Sequence, residues 1–332
     1  MKTIFAAIII FVSFGSVHAQ GLGGKLSKVG SDYAKAYMTP AVNAFGVDLN
    51  SGLFQTAKVG GILPFGLEFY LGVKVGAAII PNSAKSFNLS YMDTMYFPVQ
   101  GGLPTVAVPV EYKTTNAPTI FGSKSPGYAV GTVDTTIGGV NYSRTDSVST
   151  IGGLINTNIA ALPVPQLGIG SLFGTDVIIR YLPKTKISSY GSVNLFGFAI
   201  KHNISQYIPL IPVDVAVQIG WQNLSIYDNT GSRVVKESAF AGNAEVSKTF
   251  AILTVYGGLQ VESSTLDVNY LLQPSQVGQL LSQPVPISFK LTGKDTFRGL
   301  VGLNLSLFPF QINADYSVGY YNAISAGIGL SI

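Results

Sequence analysis

The C-terminal part of this chain alternates apolar and polar residues with a period of two. Across residues 297–307, apolar or small side chains occupy the odd positions, and Leu300 is the one apolar exception at an even position. Residues 312–320 and 324–332 repeat the pattern. A period of two is typical of a β-strand with one apolar face. Each segment is close to the ~9–11 residues that a tilted strand needs to cross a bilayer, so the pattern predicts membrane-spanning strands.

The composition favours strands over helices as the membrane-crossing elements. Charged residues are 11% of the 332-residue chain, against about 25% in soluble domains. The mean hydropathy is +0.38, yet beyond residue 19 no uninterrupted apolar run reaches the ~18 residues of a spanning helix. Apolar residues dispersed by alternation favour a closed barrel, whose strands satisfy each other's backbone hydrogen bonds. The scattered charges give no support for nucleic-acid binding.

Residues 1–19 have the pattern of a cleaved export signal. Lys2 supplies a positive start, residues 4–14 are an apolar core too short to span a bilayer, and residues 17–19 form a small-residue cleavage site before Gln20. An anchoring helix is the alternative interpretation. Because the chain contains no cysteine, a lipoprotein anchor, a disulfide, a thiolate metal site and a catalytic thiol are not expected.

Residues 20–60 differ from the rest of the chain. Apolar side chains recur there at helical steps, at Leu26, Val29, Tyr33 and Tyr37. Pro40 is expected to interrupt the helix, and residues 50–52 mark a turn. We therefore predict three regions: a signal peptide at 1–19, an N-terminal helical segment at 20–60 and a barrel at 61–332. The segment either plugs the barrel lumen or lies against the periplasmic rim.

The strand predicted at 67–79 illustrates how lumen-facing residues are assigned. Glu68 and Lys74 alternate there with apolar residues. On the lipid face a lysine would cost ~2–4 kcal/mol near the bilayer midplane, and a glutamate less, so both are expected to face the lumen. The same parity predicts the full set of lumen-facing candidates: Glu68, Lys74, Asp176, Arg180, Asp214, Gln218 and Arg298. Counting firm and weak segments predicts an all-β, antiparallel transmembrane barrel of about 12–14 strands with a short N-terminal α-helical segment.

Catalytic and metal-binding residues are sparse. His202 is the one histidine beyond the signal, so a Ser/His/Asp triad could use no other residue. Ser205 is too close in sequence to indicate any triad geometry, and a structural His202 making hydrogen bonds is the favoured interpretation. A lone histidine lacks partners for a metal, and the acidic residues are spread. We predict no enzyme, no metal site and no cofactor.

An apolar stretch joins two predicted strands between residues 271 and 286, where a polar loop is expected. Its apolar candidates are Leu271, Leu272, Val277, Leu280 and Leu281. The functional interpretation is a landing site for a hydrophobic ligand. The alternatives are a loop folded into the barrel mouth or one resting on lipid.

Six short motifs lie at residues 50–52, 56–58, 162–168, 180–184, 197–209 and 212–214. Together they resemble an uncharacterised family of bacterial outer-membrane barrels, distantly similar to FadL-type transporters of long-chain fatty acids. The resemblance implies a Gram-negative outer membrane, a barrel and an N-terminal plug, but it brings no catalytic or ligand-binding residues. One departure is the last residue, Ile332, where many such barrels have an aromatic residue that the assembly machinery recognises.

Together these observations predict an outer-membrane channel or transporter for small molecules of hydrophobic character. Its expected partners are outer-membrane lipid, the barrel-assembly machinery and a small hydrophobic ligand. Two other classes stay open. A structural or assembly-partner barrel would have a lumen filled by side chains, because few strands leave little interior. A secreted soluble β-protein should carry more charge.

Overall fold

The computed structural model describes residues 19–61, 63, 66–99, 105–150, 152–170, 173–186, 191–272 and 285–332. Apart from Ala19, the predicted signal peptide lies outside these residues. The described chain forms a long helix followed by fifteen strands, with 3-10 turns at Asn82–Ala84 and Ser205–Tyr207. The helix and strands are α1 (Ala19–Asn50), β1 (Glu68–Ile79), β2 (Ser86–Pro98), β3 (Thr105–Pro118), β4 (Tyr128–Ile137), β5 (Val140–Ser149), β6 (Ile159–Gly170), β7 (Thr175–Lys186), β8 (Ser192–Asn203), β9 (Asp214–Tyr227), β10 (Arg233–Phe250), β11 (Leu253–Leu272), β12 (Val285–Thr292), β13 (Phe297–Leu307), β14 (Phe310–Val318) and β15 (Ala323–Ser331).

Ten strands close into a ring. Their order is β10-β9-β8-β7-β6-β1-β15-β14-β13-β11, and β11 pairs in turn with β10. All of these pairings are antiparallel. The first strand, β1, lies between β6 and β15, so the two ends of the strand sequence are hydrogen-bonded to each other. Closure leaves the ring without an open edge, as a bilayer requires.

The ring has fewer strands than the 12–14 expected from alternation. Strands β2–β5 pair with one another in a separate four-stranded sheet inserted between β1 and β6. Strand β12 pairs with the second half of β11, whereas β13 pairs with its first half. The period of two identifies a strand and its faces, but it does not say which neighbour the strand will have.

The barrel is apolar outside and polar inside. Leu71 is 61% exposed, whereas Lys74 on the opposite face of β1 is 1% exposed. On β13, Leu303 is exposed while Arg298 and Asn304 are buried. An apolar exterior over a polar interior is the arrangement of a barrel surrounded by lipid. The predicted class, an all-β antiparallel transmembrane barrel with an N-terminal helix, is therefore confirmed.

Helix α1 continues through Pro40, which was expected to interrupt it. A proline removes one backbone donor within a helix. Nearby side chains form additional bonds to this turn: the Thr39 hydroxyl donates to Lys35 O at 2.7 Å, and Asn43 Nδ2 donates to Thr39 O at 3.1 Å. Ala41, Val42 and Ala44 of this part of the helix are fully buried. Tertiary packing thus outweighs the local preference against a proline.

The two ends of the barrel differ. At the turn end, where β1 begins, adjacent strands are joined by connections as short as residues 251–252 and 308–309. At the sheet end, where β1 finishes, the chain enters the β2–β5 sheet, and β10 and β11 extend to 18 and 20 residues.

The C-terminal part of helix α1 lies within the ring. It contacts both β1 and β10, and these strands are separated by four others in either direction around the ring. Further contacts join it to β6, β9, β11 and β12. Among the described residues, no helix combines the length and hydropathy that crossing a membrane requires.

At the sheet end, α1 packs on the β2–β5 sheet and its connections. The ring of Tyr33 meets that of Phe87 edge-on at 5.0 Å, and Phe45 packs against Phe121 at 6.3 Å. Tyr37 is buried and its hydroxyl donates to Gly152 O at 3.3 Å. Burial raises the pKa of the Tyr37 phenol, so it remains a protonated donor. This apolar cluster anchors the helix at one end of the barrel.

Candidate functional site

Residues 46–58, here called the lumen segment, run down the inside of the barrel. Near the sheet end, Asp48 Oδ1 accepts a hydrogen bond from the Ala78 amide at 2.7 Å. Lower down, Gln218 Nε2 donates to Leu53 O at 3.2 Å. At the turn end, Asn203 Nδ2 donates to Ala57 O at 3.0 Å. The chain thus traverses the lumen from the sheet end to the turn end before it turns back into β1.

The barrel wall binds the lumen segment largely through its backbone. Beyond Asn50 the segment is no longer helical, so its carbonyl oxygens need partners other than its own amides. Polar side chains on β7, β8 and β9 supply them. These contacts are made to main-chain oxygens, which every residue of the segment offers.

Arg180 on β7 is the main wall contact. Its Nη1 donates to Leu49 O at 2.8 Å and its Nη2 donates to Ser51 O at 3.0 Å. Two wall amides orient the guanidinium: Nε donates to Gln166 Oε1 at 2.9 Å and Nη1 to Gln222 Oε1 at 3.0 Å. The side chain is 1% exposed. Arg180, on β7, therefore joins the end of the helix to side chains of β6 and β9.

Lys74 on β1 is a second buried cation beside the segment. Its ammonium donates to Gln55 Oε1 of the segment and to Asn313 Oδ1 of β14. It also lies 5.1 Å from the centre of the Tyr70 ring. A Cβ placed on Gly52 would lie 3.4 Å from Lys74 Cβ and 3.6 Å from Arg180 Nη2, so the segment passes between these two side chains.

Lys201 on β8 is the third cation on this side of the lumen. Its Nζ lies 2.8 Å from Asp176 Oδ2 and donates to Thr56 O at 2.9 Å. It thus combines an ion pair within the wall with a contact to the segment.

Arg298 on β13 differs because carboxylates neutralise it. Its Nη2 lies 3.0 Å from Glu262 Oε1 and 3.3 Å from Asp295 Oδ1. Its Nη1 donates to Ser317 Oγ at 2.8 Å. These hydrogen bonds and ion pairs join Arg298 to other parts of the wall rather than to the lumen segment.

Carboxylates on β10 were missed by the sequence analysis. Glu237 is fully buried, and among the described residues neither of its oxygens has a hydrogen-bond partner. Glu245 is also buried, and its Oε1 accepts from Asn243 at 3.3 Å. The signal was weak because alanine and glycine occur on both faces of this strand.

The seven lumen-facing candidates all lie on the inward face, but at different depths. Lys74, Arg180, Gln218 and Arg298 are almost fully buried in the middle of the barrel. Glu68, Asp176 and Asp214 lie towards the turn end. There the Ser331 hydroxyl donates to Glu68 Oε1 at 2.6 Å.

The five apolar loop candidates remain largely undescribed. Leu271 and Leu272 belong to the end of β11 rather than to a loop, where their backbones pair with Pro286 and Val285. Val277, Leu280 and Leu281 lie outside the described residues. The landing-site hypothesis thus stays a prediction.

His202 makes hydrogen bonds at the turn end. Its Nδ1 lies 2.8 Å from Thr175 Oγ1 and its Nε2 lies 3.0 Å from the Tyr207 hydroxyl. Ser205 donates to Asn203 Oδ1 at 2.6 Å rather than to the imidazole. The described part of the chain contains no cluster of three His, Asp or Glu side chains that could hold a metal ion.

The lumen segment leaves little space in the described barrel. One cavity of about 30 Å³ lies between Leu53, Gln55 and the wall, and another of about 10 Å³ lies beside Phe54 and Arg298. A cavity of about 570 Å³ opens at the turn end, between Lys58 and Asp214. The two cavities beside the segment are far smaller than the one at the turn end, so the segment fills most of the lumen at the level of Leu53 and Phe54.

Three solved structures are similar to this chain at low identity. OccK5 (OpdH) of Pseudomonas aeruginosa is 6% identical over 80% of this chain and 97% of that one, with a TM-score of 0.22. The outer membrane channel DcaP of Acinetobacter baumannii is 10% identical over 82% of this chain and 100% of that one, with a TM-score of 0.20. The translocator domain of autotransporter NalP from Neisseria meningitidis is 10% identical over 91% of this chain and 97% of that one, with a TM-score of 0.26.

At TM-scores this low, the description of the barrel rests on the pairing of this chain's own strands. No curated protein matches the sequence. Residues 1–332 match the family described as Family of unknown function (DUF6588), and the chain belongs to that family.

Proposed function

We propose that this protein is a gated channel of a Gram-negative outer membrane, and that its own lumen segment is the gate. The observation that carries the proposal is the way the lumen is closed: polar wall side chains hold the segment mainly through backbone carbonyls. Such hydrogen bonds contribute about 0.5–1.5 kcal/mol each, or about 1.5–3 kcal/mol where Arg180 or Lys201 is the donor, because water replaces them when they break. Leu49, Leu53 and Phe54 are almost fully buried and add apolar contacts. A segment held in this way can leave the lumen, because water can then take its place as the hydrogen-bond partner of the polar wall side chains.

The two ends of the N-terminal region would then behave differently. The sheet-end cluster around Tyr33 and Phe121 is apolar and keeps the helix in place. The lumen segment is bound by polar contacts and is the part that moves. This division supports a gate that opens without release of the whole helix.

The apolar exterior supports an outer-membrane location, reached by export with a cleaved signal peptide. Outer-membrane lipid and the barrel-assembly machinery are the partners proposed with it. We propose no enzymatic role, since His202 is used in hydrogen bonds that hold a turn.

The polar wall favours small water-soluble molecules as the transported solutes. The hydrophobic substrate and the likeness to FadL-type transporters remain predictions. They depend on the apolar residues between 271 and 286, of which 273–284 lie outside the described residues. A long-chain fatty acid should therefore be included in the transport assay.

A barrel without transport activity is the second candidate, and the filled lumen favours it. It differs from the channel in one respect, because its lumen segment never leaves. A secreted soluble β-protein fits the apolar exterior less well.

The test is a disulfide that locks the segment to the wall. Thr56 Oγ1 and Ser247 Oγ lie 3.4 Å apart, so cysteines at both positions could form a bond of about 2.05 Å after a small shift. The natural chain has no cysteine to compete. We expect current through wild-type protein in a planar bilayer, none through oxidised Thr56→Cys/Ser247→Cys, and recovery on reduction.

The two single-cysteine variants are the controls and should conduct like wild type under both conditions. If wild type and a variant lacking residues 46–58 are both silent although folded, the channel proposal fails and the structural barrel stands. Conduction that the disulfide leaves unchanged would show that the segment is not the gate.

A further inference from the structure

One side of the lumen carries three cations, of which two have no carboxylate within ion-pair distance among the described residues. Lys74, Arg180 and Lys201 belong to β1, β7 and β8, which lie within four consecutive strands of the ring. All three donate hydrogen bonds to residues 49–56 of the chain. Asp176 is the one carboxylate that pairs with any of them among the described residues. We call these three side chains the cationic face.

Two of these cations are buried without a carboxylate partner. No ion pair within 4.0 Å joins Lys74 or Arg180 to any described carboxylate, although each is 1% exposed. Their acceptors are neutral amide and carbonyl oxygens. Burial of a charge without a counter-charge is costly. Two cations buried in this way are therefore unfavourable if their only role is to stabilise the fold. Arg298 shows that the same barrel neutralises a cation with acids elsewhere.

Opening the gate would remove acceptors from all three cations. Arg180 would lose the carbonyl oxygens of Leu49 and Ser51, Lys74 would lose Gln55 Oε1, and Lys201 would lose the carbonyl oxygen of Thr56. The wall amides would remain and would keep the freed groups oriented.

The remaining contacts hold the side chains towards the emptied space. Gln166 and Gln222 bind the guanidinium, and Asn313 binds the ammonium of Lys74. The two glutamines bind Nε and Nη1 of Arg180. The remaining N–H groups of a guanidinium fixed in this way can donate two parallel hydrogen bonds to a carboxylate or phosphate group. The segment's carbonyl oxygens occupy the position that such oxygens would take.

We propose that the open lumen binds a small anion with carboxylate-type or phosphate-type oxygens at the cationic face formed by Lys74, Arg180 and Lys201. This inference rests on the proposed channel function and names the class of solute. The lumen segment then occupies the anion's place in the closed state. The segment and the anion compete for the same hydrogen-bond donors, so only one of them can be bound at a time.

The experiment uses full-length protein in planar bilayers with inorganic phosphate as the probe. In a potassium chloride gradient, the sign of the reversal potential reports whether chloride or potassium carries more current. We expect chloride preference, and we expect added phosphate to reduce the chloride current. In Lys74→Gln/Arg180→Gln, chloride preference should disappear and the phosphate concentration for half-block should rise about tenfold or more.

The matched control is Lys113→Gln/Lys124→Gln, which removes two exposed cations from the β2–β5 sheet region. It should retain both chloride preference and phosphate block. Wild-type protein that conducts but prefers potassium, or that phosphate does not block, would overturn the inference while leaving the channel intact. Ion preference and phosphate block are measured on wild-type protein, so the inference can be tested even if the double variant misfolds. Absence of current in wild type and in the variant lacking residues 46–58 would remove the channel, and this inference with it.

Discussion

Arg180 Nη1 lies 2.8 Å from the carbonyl oxygen of Leu49, although the two residues are 131 positions apart in the chain. This contact joins the C-terminal end of the helix to the strand wall at the level where the lumen segment begins. It links the predicted lumen-facing set to the predicted N-terminal segment.

Loss of the Arg180 contacts should expose the segment to solvent. Ser51 is 7% exposed, so a cysteine placed there should react slowly with a membrane-impermeant maleimide. Adding Arg180→Gln removes the two donors to Leu49 O and Ser51 O, and we expect the labelling rate to rise about tenfold, equivalent to ~1.4 kcal/mol. Adding Lys113→Gln instead should leave the rate unchanged. Equal rates in both variants would show that Arg180 does not restrain the segment.

A methyl group on Gly76 should open the barrel by steric conflict. A Cβ there would lie 2.7 Å from Asp48 O and 2.9 Å from Asp48 Cα, which requires the helix to move. We expect Gly76→Ala to raise bilayer current relative to wild type. Gly299→Ala is the control, since its nearest neighbour would be Leu259 Cδ2 at 4.0 Å. A silent Gly76→Ala variant with unchanged stability would mean that the helix can shift without opening the passage.

Neutralising Glu237 should stabilise the closed barrel. Both carboxylate oxygens are buried without a partner among the described residues, and a buried unpaired charge costs far more than a buried unpaired amide. Glu237→Gln keeps the shape and removes the possibility of a buried charge. We expect the temperature at which the folded gel band converts to the unfolded band to rise. Glu111→Gln, at an exposed carboxylate of β3, should leave that temperature unchanged. A lower temperature for Glu237→Gln would indicate that Glu237 has a partner or ligand that the substitution removes.

The sheet-end cluster should anchor the helix without supporting the ring. Phe121 is fully buried against Phe45, and replacement of a buried phenylalanine by alanine costs ~3–5 kcal/mol. We expect Phe121→Ala to make α1 and the β2–β5 sheet sensitive to protease while the ten-strand ring remains resistant. Mass spectrometry of the fragments identifies the cleaved region. Cleavage within the ring strands would show that the cluster stabilises the whole barrel.

The inward face could be predicted because a period of two leaves only two choices for each side chain. Lys74, Arg180 and Arg298 fell on the polar side of clear alternation, and the structure places them on the inside. Strand β10 escaped notice because alanine and glycine suit either face. Its buried Glu237 was missed with it.

Long-range relationships were beyond the sequence analysis. Alternation could not show that β2–β5 leave the ring or that β12 and β13 share one neighbour. Pro40 was expected to interrupt the helix, because helix propensity contains no information on how α1 packs inside the barrel. Nor could the pattern reveal that the guanidinium of Arg180 donates its hydrogen bonds to main-chain carbonyl oxygens rather than to a carboxylate. Every residue has a carbonyl oxygen, so the sequence does not mark which ones serve as acceptors.

Main-chain oxygens are a feature that every polypeptide shares. Because Arg180, Gln218, Asn203 and Lys201 bind these oxygens, mutations that alter side chains of residues 49–58 need not abolish closure, whereas mutations in the wall would. Selection for a tight seal should therefore act on the strands, and within the peptide chiefly on Gly52 and the buried Leu53 and Phe54. The same chemistry implies that an unrelated extended peptide of suitable length, supplied from outside, could seal a barrel that lacks its own.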